Sequence, residues 1–302
     1  MSLVSIGLPV FNGENYLQEA IDSLLGQTYQ DIELIIADNA STDATEDICR
    51  TAAAADGRVR YVRHPQNLGA APNYNSTVDA AGGEFFMWNA HDDLRDPRFV
   101  EVALEGFKAR PDASSVFGSV NQVHHDGRVR TQNDLPRAAY SNDVADRLRS
   151  VLTYRHPAYV IFGLMRRDVL NTTNRHGAYP GADRVLAVEL ALRGPFGEIE
   201  AGLFSMRDHP NRYVKKQPGA AKSLWWDAAR AGTIDAPAWT RLKAYRNAIA
   251  ESDLSADEKA RCRRALRAAA SDNGFAIPRG VVKDLFLAGR ARLAQMASRS
   301  DD

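Results

Sequence analysis

Residues able to bind a ligand recur at one kind of place in this chain, directly after short apolar runs. Pro9-Val10-Phe11-Asn12-Gly13-Glu14 follows the first run, Asp38-Asn39 the second, His64-Pro65-Gln66-Asn67-Leu68-Gly69 the third and Asn89-Ala90-His91-Asp92-Asp93 the fourth. In an open sheet of parallel strands such edges converge on one crevice, beyond the carboxyl ends of the strands. An aromatic ring, an isolated carboxylate, a backbone-exposing Asn-x-Gly and an acidic pair would then meet there. That set suits a nucleoside diphosphate with a divalent metal, because hard cations take oxygen ligands and are often held by one or two carboxylates plus phosphates. Gly69 permits close backbone approach, and Asn73 reaches the same place from the first turn of its helix.

The pattern that must position these residues alternates apolar runs with amphipathic helices, which builds a mostly parallel α/β sheet flanked by helices. Strands are expected at Val4 to Val10, Ile32 to Ala37, Val59 to Val62 and Phe85 to Trp88. Between them, helices are expected from Glu14 to Leu25, from the capping run Asp38 to Asp43 through Ala55, and from Pro72 to Ala81. Asp96 as N-cap with Pro97 after it starts another, through Phe107. Ser115 to Val120 reads as a strand and Val123 to Val129 as a hairpin about Asp126-Gly127, with His124 and His125 as decoration. Helices at Asn142 to Leu152 and Asp183 to Leu192 and a strand within Ile199 to Met206 complete a unit of residues 1–218. From about Gly219 strand signals vanish, and residues 219–302 read as a helical appendage of three helices. The loops around 130–140 and 171–182 are the most irregular, and acceptor choice is expected there.

The segments Val4-Ser5-Ile6-Gly7-Leu8-Pro9-Val10-Phe11-Asn12, Asp38-Asn39-Ala40-Ser41-Thr42-Asp43, Asn67-Leu68-Gly69, His91-Asp92-Asp93-Leu94, Gly181-Ala182-Asp183-Arg184 and Arg207-Asp208-His209 occur in this order. Together they resemble the family 2 inverting glycosyltransferases of GT-A fold, over roughly the first two thirds of the chain. Several weak motifs in register outweigh any one of them. The resemblance implies that Pro9, Phe11 and Glu14 line a nucleotide pocket, with Phe11 near the base, and that Asp38 accepts a hydrogen bond from the base. Read without the family, Asp38 is a helix N-cap and Phe11 a core residue. Asp92 takes the place of the family's metal-binding aspartate, although Ala90 stands where a first carboxylate is common. His91 falls where a ribose contact lies, and Asn67, Gly69 and Asn73 complete the nucleotide-binding set. His209 is implied as a ligand of the metal, Mn²⁺ or Mg²⁺, or of the diphosphate, and otherwise as a structural histidine. Asp93 supports Asp92 or contacts the acceptor, and otherwise is a turn residue. Direct displacement at an anomeric carbon requires a base for the acceptor hydroxyl and a Lewis acid for the departing nucleoside diphosphate. The resemblance assigns the base to Asp183, with Arg184 as an acceptor or phosphate contact; the alternative for Asp183 is an N-cap.

Composition narrows the classes further. The 302 residues are 44% hydrophobic and 25% charged, which excludes wholesale disorder, and 38 basic residues balance 38 acidic ones. No overall basic excess draws nucleic acid. Cys49 and Cys262 lack metal-type spacing, and the start of the chain has no signal-like run, so a cytoplasmic protein is expected. From Arg261 onward nine basic residues face four acidic ones, and Val282, Leu285, Phe286, Leu293 and Met296 share a helix face. That tail is either packed on its own domain or in peripheral contact with an anionic membrane. The expected activity is transfer of a sugar from a nucleotide diphosphate donor, of UDP type, to a hydroxyl acceptor on a glycan, a lipid-linked carrier or a small molecule. The alternatives are a non-catalytic nucleotide-sugar binding protein and a nucleotidyltransferase, which usually carries a glycine-rich basic loop absent from Phe11-Asn12-Gly13-Glu14. A dehydrogenase would need Gly-x-Gly-x-x-Gly after the first strand.

Overall fold

Strands buried on both faces read as continuous apolar runs, and β1 (Val4–Val10) is buried at all seven positions. The computed structural model describes residues 2–133, 135–154, 158–209, 226 and 237–271. β1 lies between β2 (Ile32–Asp38) and β4 (Phe85–Trp88), parallel to both, and β3 (Val59–Arg63) is parallel to β2. The chain thus winds outward from β1 to β3 and returns to β1's other side, so strand order reverses between β1 and β4. Pro9 fits this central strand because β4 ends level with Gly7, so no rung on that side needs its missing N–H.

The larger sheet has seven strands in the order β10-β6-β9-β4-β1-β2-β3. Its far side is built from β6 (Ser115–Phe117), β9 (Leu164–Arg166) and β10 (Phe196–Glu198), of which only β9 runs antiparallel to its neighbours. Helices α1 (Leu17–Leu25), α2 (Thr45–Ala55) and α4 (Phe99–Ala109) cover one face. α1 buries Leu17, Ala20, Ile21 and Leu24 at helical spacing; each large aliphatic among them contributes about 1.5–3 kcal/mol. The other face carries α3 (Ala70–Asp79), α5 (Val144–Thr153) and α7 (Ala182–Arg193), with the short α6 (Arg167–Asn171) after β9.

A second sheet of four strands, ordered β5-β11-β7-β8, lies beside the first. It comprises β5 (Leu94–Arg95), β7 (Val120–His124), β8 (Val129–Gln132) and β11 (Phe204–Asp208). The expected strand at Ser115 to Val120 is therefore two, divided at Gly118 and Ser119, where the chain leaves one sheet for the other. A Cβ at Gly118 would stand 2.5 Å from the Glu200 carbonyl, so that passage admits no side chain. β7 and β8 form the expected hairpin, with Gly127 at φ 80°. His124 has a use there, since its Nδ1 lies 3.2 Å from Asp208 Oδ2.

Beyond the larger unit, α8 (Pro237–Glu251) and α9 (Ala256–Ser271) follow. Tyr245, Ala248 and Ile249 of α8 and Cys262, Leu266 and Ala269 of α9 enter the same apolar cluster as Leu148 and Val151 of α5 and Leu190 of α7. Arg261 on α9 also pairs with Asp143 at 2.7 Å, beside the start of α5. The helix expected to carry Val282 to Met296 lies outside the described residues. No helix among the described residues is long and apolar enough to cross a membrane. Both cysteines are free and buried, and burial pushes the Cys49 thiol up to about 12 and Cys262 up to about 11.

Candidate active site

The edge where strand order reverses is knotted by side-chain bonds between loops. Ser41 Oγ and Thr45 Oγ1 accept from the backbone of Asn12 and Gly13, while Asn12 Oδ1 accepts from Thr42 N, each at 2.9 Å. Asp43 accepts from Glu14 N, and Glu14 Oε2 accepts from Ala44 N at 3.0 Å. Asn12 holds φ 51° to make this possible, a conformation asparagine tolerates better than most residues. Phe11, at the crest of this loop, is 42% exposed, so the core alternative for it does not hold.

Asp38 is fully buried. Its Oδ1 accepts from Ser41 N at 2.8 Å, Oδ2 accepts from Tyr61 Oη at 2.8 Å, and Arg63 Nε stands 3.3 Å away. It is not a helix cap, since α2 begins only at Thr45. Tyr61 is pushed well above its ordinary value, by burial first and then by its bond to Asp38. Asn39, at the same strand end but given no role of its own by the sequence, holds the next loop. Its Nδ2 donates to Asn67 Oδ1 at 2.9 Å and to the Gly69 carbonyl at 3.1 Å, and its Oδ1 accepts from Leu68 N at 2.9 Å. Gly69 sits at φ 89° directly before α3. Asn73, buried in the first turn, donates to the Val10 carbonyl at 3.3 Å, while its Oδ1 is buried without a hydrogen-bond partner among the described residues.

The turn after β4 is fixed from below. Asn89 Nδ2 donates to the carbonyls of Ala90 and Asp93, and its Oδ1 accepts from Arg95 Nε at 2.8 Å. Arg95 is itself buried, donates to the carbonyls of Trp88 and Phe162, and lies between the rings of Phe99 and Phe204. Burial brings its guanidinium down to about 9 against the opposing field of Asp93. Asp93 is 2% exposed and accepts from Arg207 N at 3.0 Å. It therefore ties the turn to β11.

Asp92 and His209 meet: His209 Nε2 lies 2.9 Å from Asp92 Oδ2, both side chains largely buried. The reason is register. β5 and β11 are antiparallel, with Leu94 opposite Ser205, so the residue two before β5 and the residue one after β11 share an end of the ladder. Tyr16 backs the histidine at 4.6 Å between ring centroids, and the Arg207 guanidinium covers Tyr16 while bonding Glu19. His209 Nδ1 is buried without a hydrogen-bond partner among the described residues. His91 packs on Gly13, where a Cβ would stand 2.7 Å from its ring. Burial lowers its imidazole pKa, with His209 adding to that and Asp92 and Asp43 opposing.

Among the described residues no third histidine, cysteine or acid joins this pair as a closed metal cluster. One carboxylate and one imidazole at contact distance form a partial donor set, the kind that a divalent cation completes with phosphate oxygens and water. The residues present fit such an ion.

Asp183 stands apart from this knot, in the first turn of α7 after Gly181 at φ 84°. Its Oδ1 accepts from Arg184 N at 2.9 Å. Burial raises its carboxyl above the ordinary range, opposed by that amide and by the charges of Arg184 and Arg241. The preceding loop is pinned to α3, because His176 and Asn75 exchange backbone and amide bonds at 3.0 Å. The His176 ring stacks at 4.9 Å on Trp226 and lies 4.8 Å from Tyr74, and burial holds it down to about 4.

Comparison with known proteins adds the lineage. The family model described as glycosyl transferase family 2 matches residues 5–173, which include every strand-edge residue from Pro9 to Asp93 but not Asp183 or His209. An uncharacterized glycosyltransferase of Rickettsia bellii (strain RML369-C) is 42% identical over 127 residues, 42% of this chain and 18% of that protein. Glycosyltransferase GlyG of Streptococcus pneumoniae serotype 4 is 28% identical over 176 residues, 56% of this chain and 58% of that one. The chain thus spans less than two thirds of the length of these curated relatives. In fold it is similar to S. aureus TarS 1–349 in complex with UDP-GlcNAc, at a TM-score of 0.67 and 16% identity over 94% of this chain and 80% of that one. Mannosyltransferase PcManGT from Pyrobaculum calidifontis, in complex with GDP-Man and Mn2+, gives a TM-score of 0.52 at 19% identity, over 97% and 81%. With more than half of its length inside the family model, the chain belongs to glycosyl transferase family 2.

Proposed function

We propose that this chain is a metal-assisted inverting glycosyltransferase that moves a sugar from a UDP-sugar to a hydroxyl acceptor. The observation that carries the reading is the meeting of Asp92 and His209 at 2.9 Å, with His91 of the same turn packed on Gly13 of the loop after β1. Two solved structures of similar fold hold UDP-GlcNAc in one case and GDP-Man with Mn2+ in the other, which supports a nucleotide-sugar donor and a divalent ion. Asp92 and His209, with the donor's phosphates, would hold Mn²⁺ or Mg²⁺, which when bound would neutralise charge on the departing diphosphate.

The chain's own residues do the rest. Phe11 offers an exposed ring to the base, and Pro9, Asp38 and the 67–69 loop complete the nucleotide-binding set. Glu14 holds that loop's neighbour closed through the Ala44 amide, and His91 and Asn73 face the ribose and phosphates. Asp183 takes the acceptor proton as the hydroxyl oxygen attacks the anomeric carbon and the bond to the diphosphate oxygen breaks. Its raised carboxyl suits that work, since a base operates best with a pKa drawn toward working pH. Arg184 contacts acceptor or phosphate, and α8 and α9 brace α5 and α7.

Calorimetric titration of UDP with and without Mn²⁺ tests the reading. A metal-dependent gain in affinity is expected, and it is lost in Asp92→Ala; an unchanged gain in that variant counts against the assignment. Ala90, where a further carboxylate is common in the family, favours a second reading, nucleotide-sugar binding without transfer. Metal-dependent UDP release from UDP-sugar, lost in Asp183→Asn, separates the two.

A further inference from the structure

The C-terminal helix α8 lies outside the segment that matches the family, yet one of its side chains reaches the turn that carries Asp183. Arg241 is half-buried there, its Nη1 3.4 Å from the Pro180 carbonyl. The arginine stem covers Gly181 so closely that a Cβ on that glycine would stand 2.7 Å from Arg241 Cδ and 3.1 Å from Nη1. Gly181 meanwhile holds φ 84°, a left-handed conformation in which glycine is at no disadvantage. Contact and conformation thus select glycine at the same residue, two before Asp183. One turn further along α8, Tyr245 is buried within the electrostatic range of Asp183, Arg184 and Arg241.

We infer that Arg241 is a positioning residue for Asp183: it clamps the Pro180-Gly181 turn through its stem and sets the state of the carboxylate through its charge. Among the described residues, the charged groups that act on Asp183 are Arg184 on its own helix and Arg241 from α8, and Tyr245 feels all three. A cation near a partly buried carboxylate favours its ionised form, as the Arg241 charge does for Asp183. Without Arg241, burial acts on Asp183 against one cation fewer, and the carboxyl holds its proton to higher pH. A base that stays protonated cannot accept the acceptor's proton, so turnover falls first on the acid side. The kinetic part of this inference rests on Asp183 being the base; the electrostatic part does not.

The test is an NMR titration of the Asp183 side-chain carboxyl carbon in the full chain, its resonance assigned by loss in Asp183→Asn. In Arg241→Ala the midpoint is expected to move upward, and in Arg241→Lys it stays near the starting value. Arg241→Gln keeps much of the stem over Gly181 and removes only the charge, so it serves where the alanine variant folds poorly; the same upward move is expected. An unmoved midpoint in Arg241→Gln overturns the inference. A parallel assay of UDP release from UDP-GlcNAc with Mn²⁺ is expected to show the acid limb of kcat shifted to higher pH, with roughly a tenfold loss on that limb and little change in donor KM. A tenfold loss corresponds to about 1.4 kcal/mol. If Asp183→Asn retains full turnover, the base assignment fails while the titration still judges Arg241. If Asp183→Asn is inactive and the Arg241 variants keep the wild-type pH profile, the positioning role fails alone.

Discussion

His176 shows how one side chain sets a property of the whole fold. Its ring lies among Tyr74, Trp88 and Trp226, and burial keeps it neutral down to about pH 4. In the unfolded chain the same imidazole takes up a proton near pH 6.5. Below that value the unfolded state binds the extra proton and the native state does not, so stability falls as pH drops from 6.5 toward 4, by at most about 3 kcal/mol. Urea unfolding of His176→Phe at pH 7 and pH 5 is expected to show a smaller difference between the two conditions than the parent; an equal difference would exclude His176 as the source. The sequence offers no sign of this residue, because a lone histidine in an irregular loop has no periodicity to show its burial. Asp92 and His209 were legible for a different reason. Each follows an apolar run, and the carboxyl ends of such runs are where ligands bind in open α/β sheets. Arg95 and Asn39 were not, since an arginine or asparagine after a strand reads as solvated until its partners are seen.

At the scale of elements, the loops after β1, β2 and β3 are held by one another rather than by helix caps. α1, α2 and α3 have no side-chain cap hydrogen bond, and the capping groups Ser41, Asp43 and Thr45 bond across to residues 12–14. That is why the expected helix starts at Glu14 and Asp38 lie several residues too early. Asn39→Ala would leave Leu68 N and the Gly69 carbonyl without these bonds inside the knot. Its expected cost is about 2–3 kcal/mol in denaturant unfolding, together with weaker UDP binding from a loosened 67–69 loop. Loss of stability with unaltered binding would separate the loop from the nucleotide. Strands of four or more residues in the first ninety were readable because burial on both faces makes them continuous apolar runs. β5, β9 and β10 are two or three residues long, too short for any period, and only pairing with distant partners defines them.

For the molecule as a whole, α8 and α9 share a core cluster with α5 and α7. Heat or urea is therefore expected to unfold residues 1–218 and the C-terminal helices in one transition. Ile249→Ala, fully buried on α8, should lower that single midpoint by the equivalent of about 2–4 kcal/mol. Two transitions, with only the smaller one moved by the substitution, would mark an independent C-terminal domain. The sequence showed the change of character near Gly219 but not this packing, because an alanine-rich helix presents the same pattern whether it docks on its own chain or elsewhere. The two sheets are joined by three short passages, from β4 to β5, from β6 to β7 and from β10 to β11. Asp92 lies on the first and His209 directly after the strand entered by the third, so their 2.9 Å contact depends on the two-rung pairing of β5 with β11. A substitution that shifts β11 against β5 is therefore expected to part Asp92 from His209, although neither strand belongs to the larger sheet.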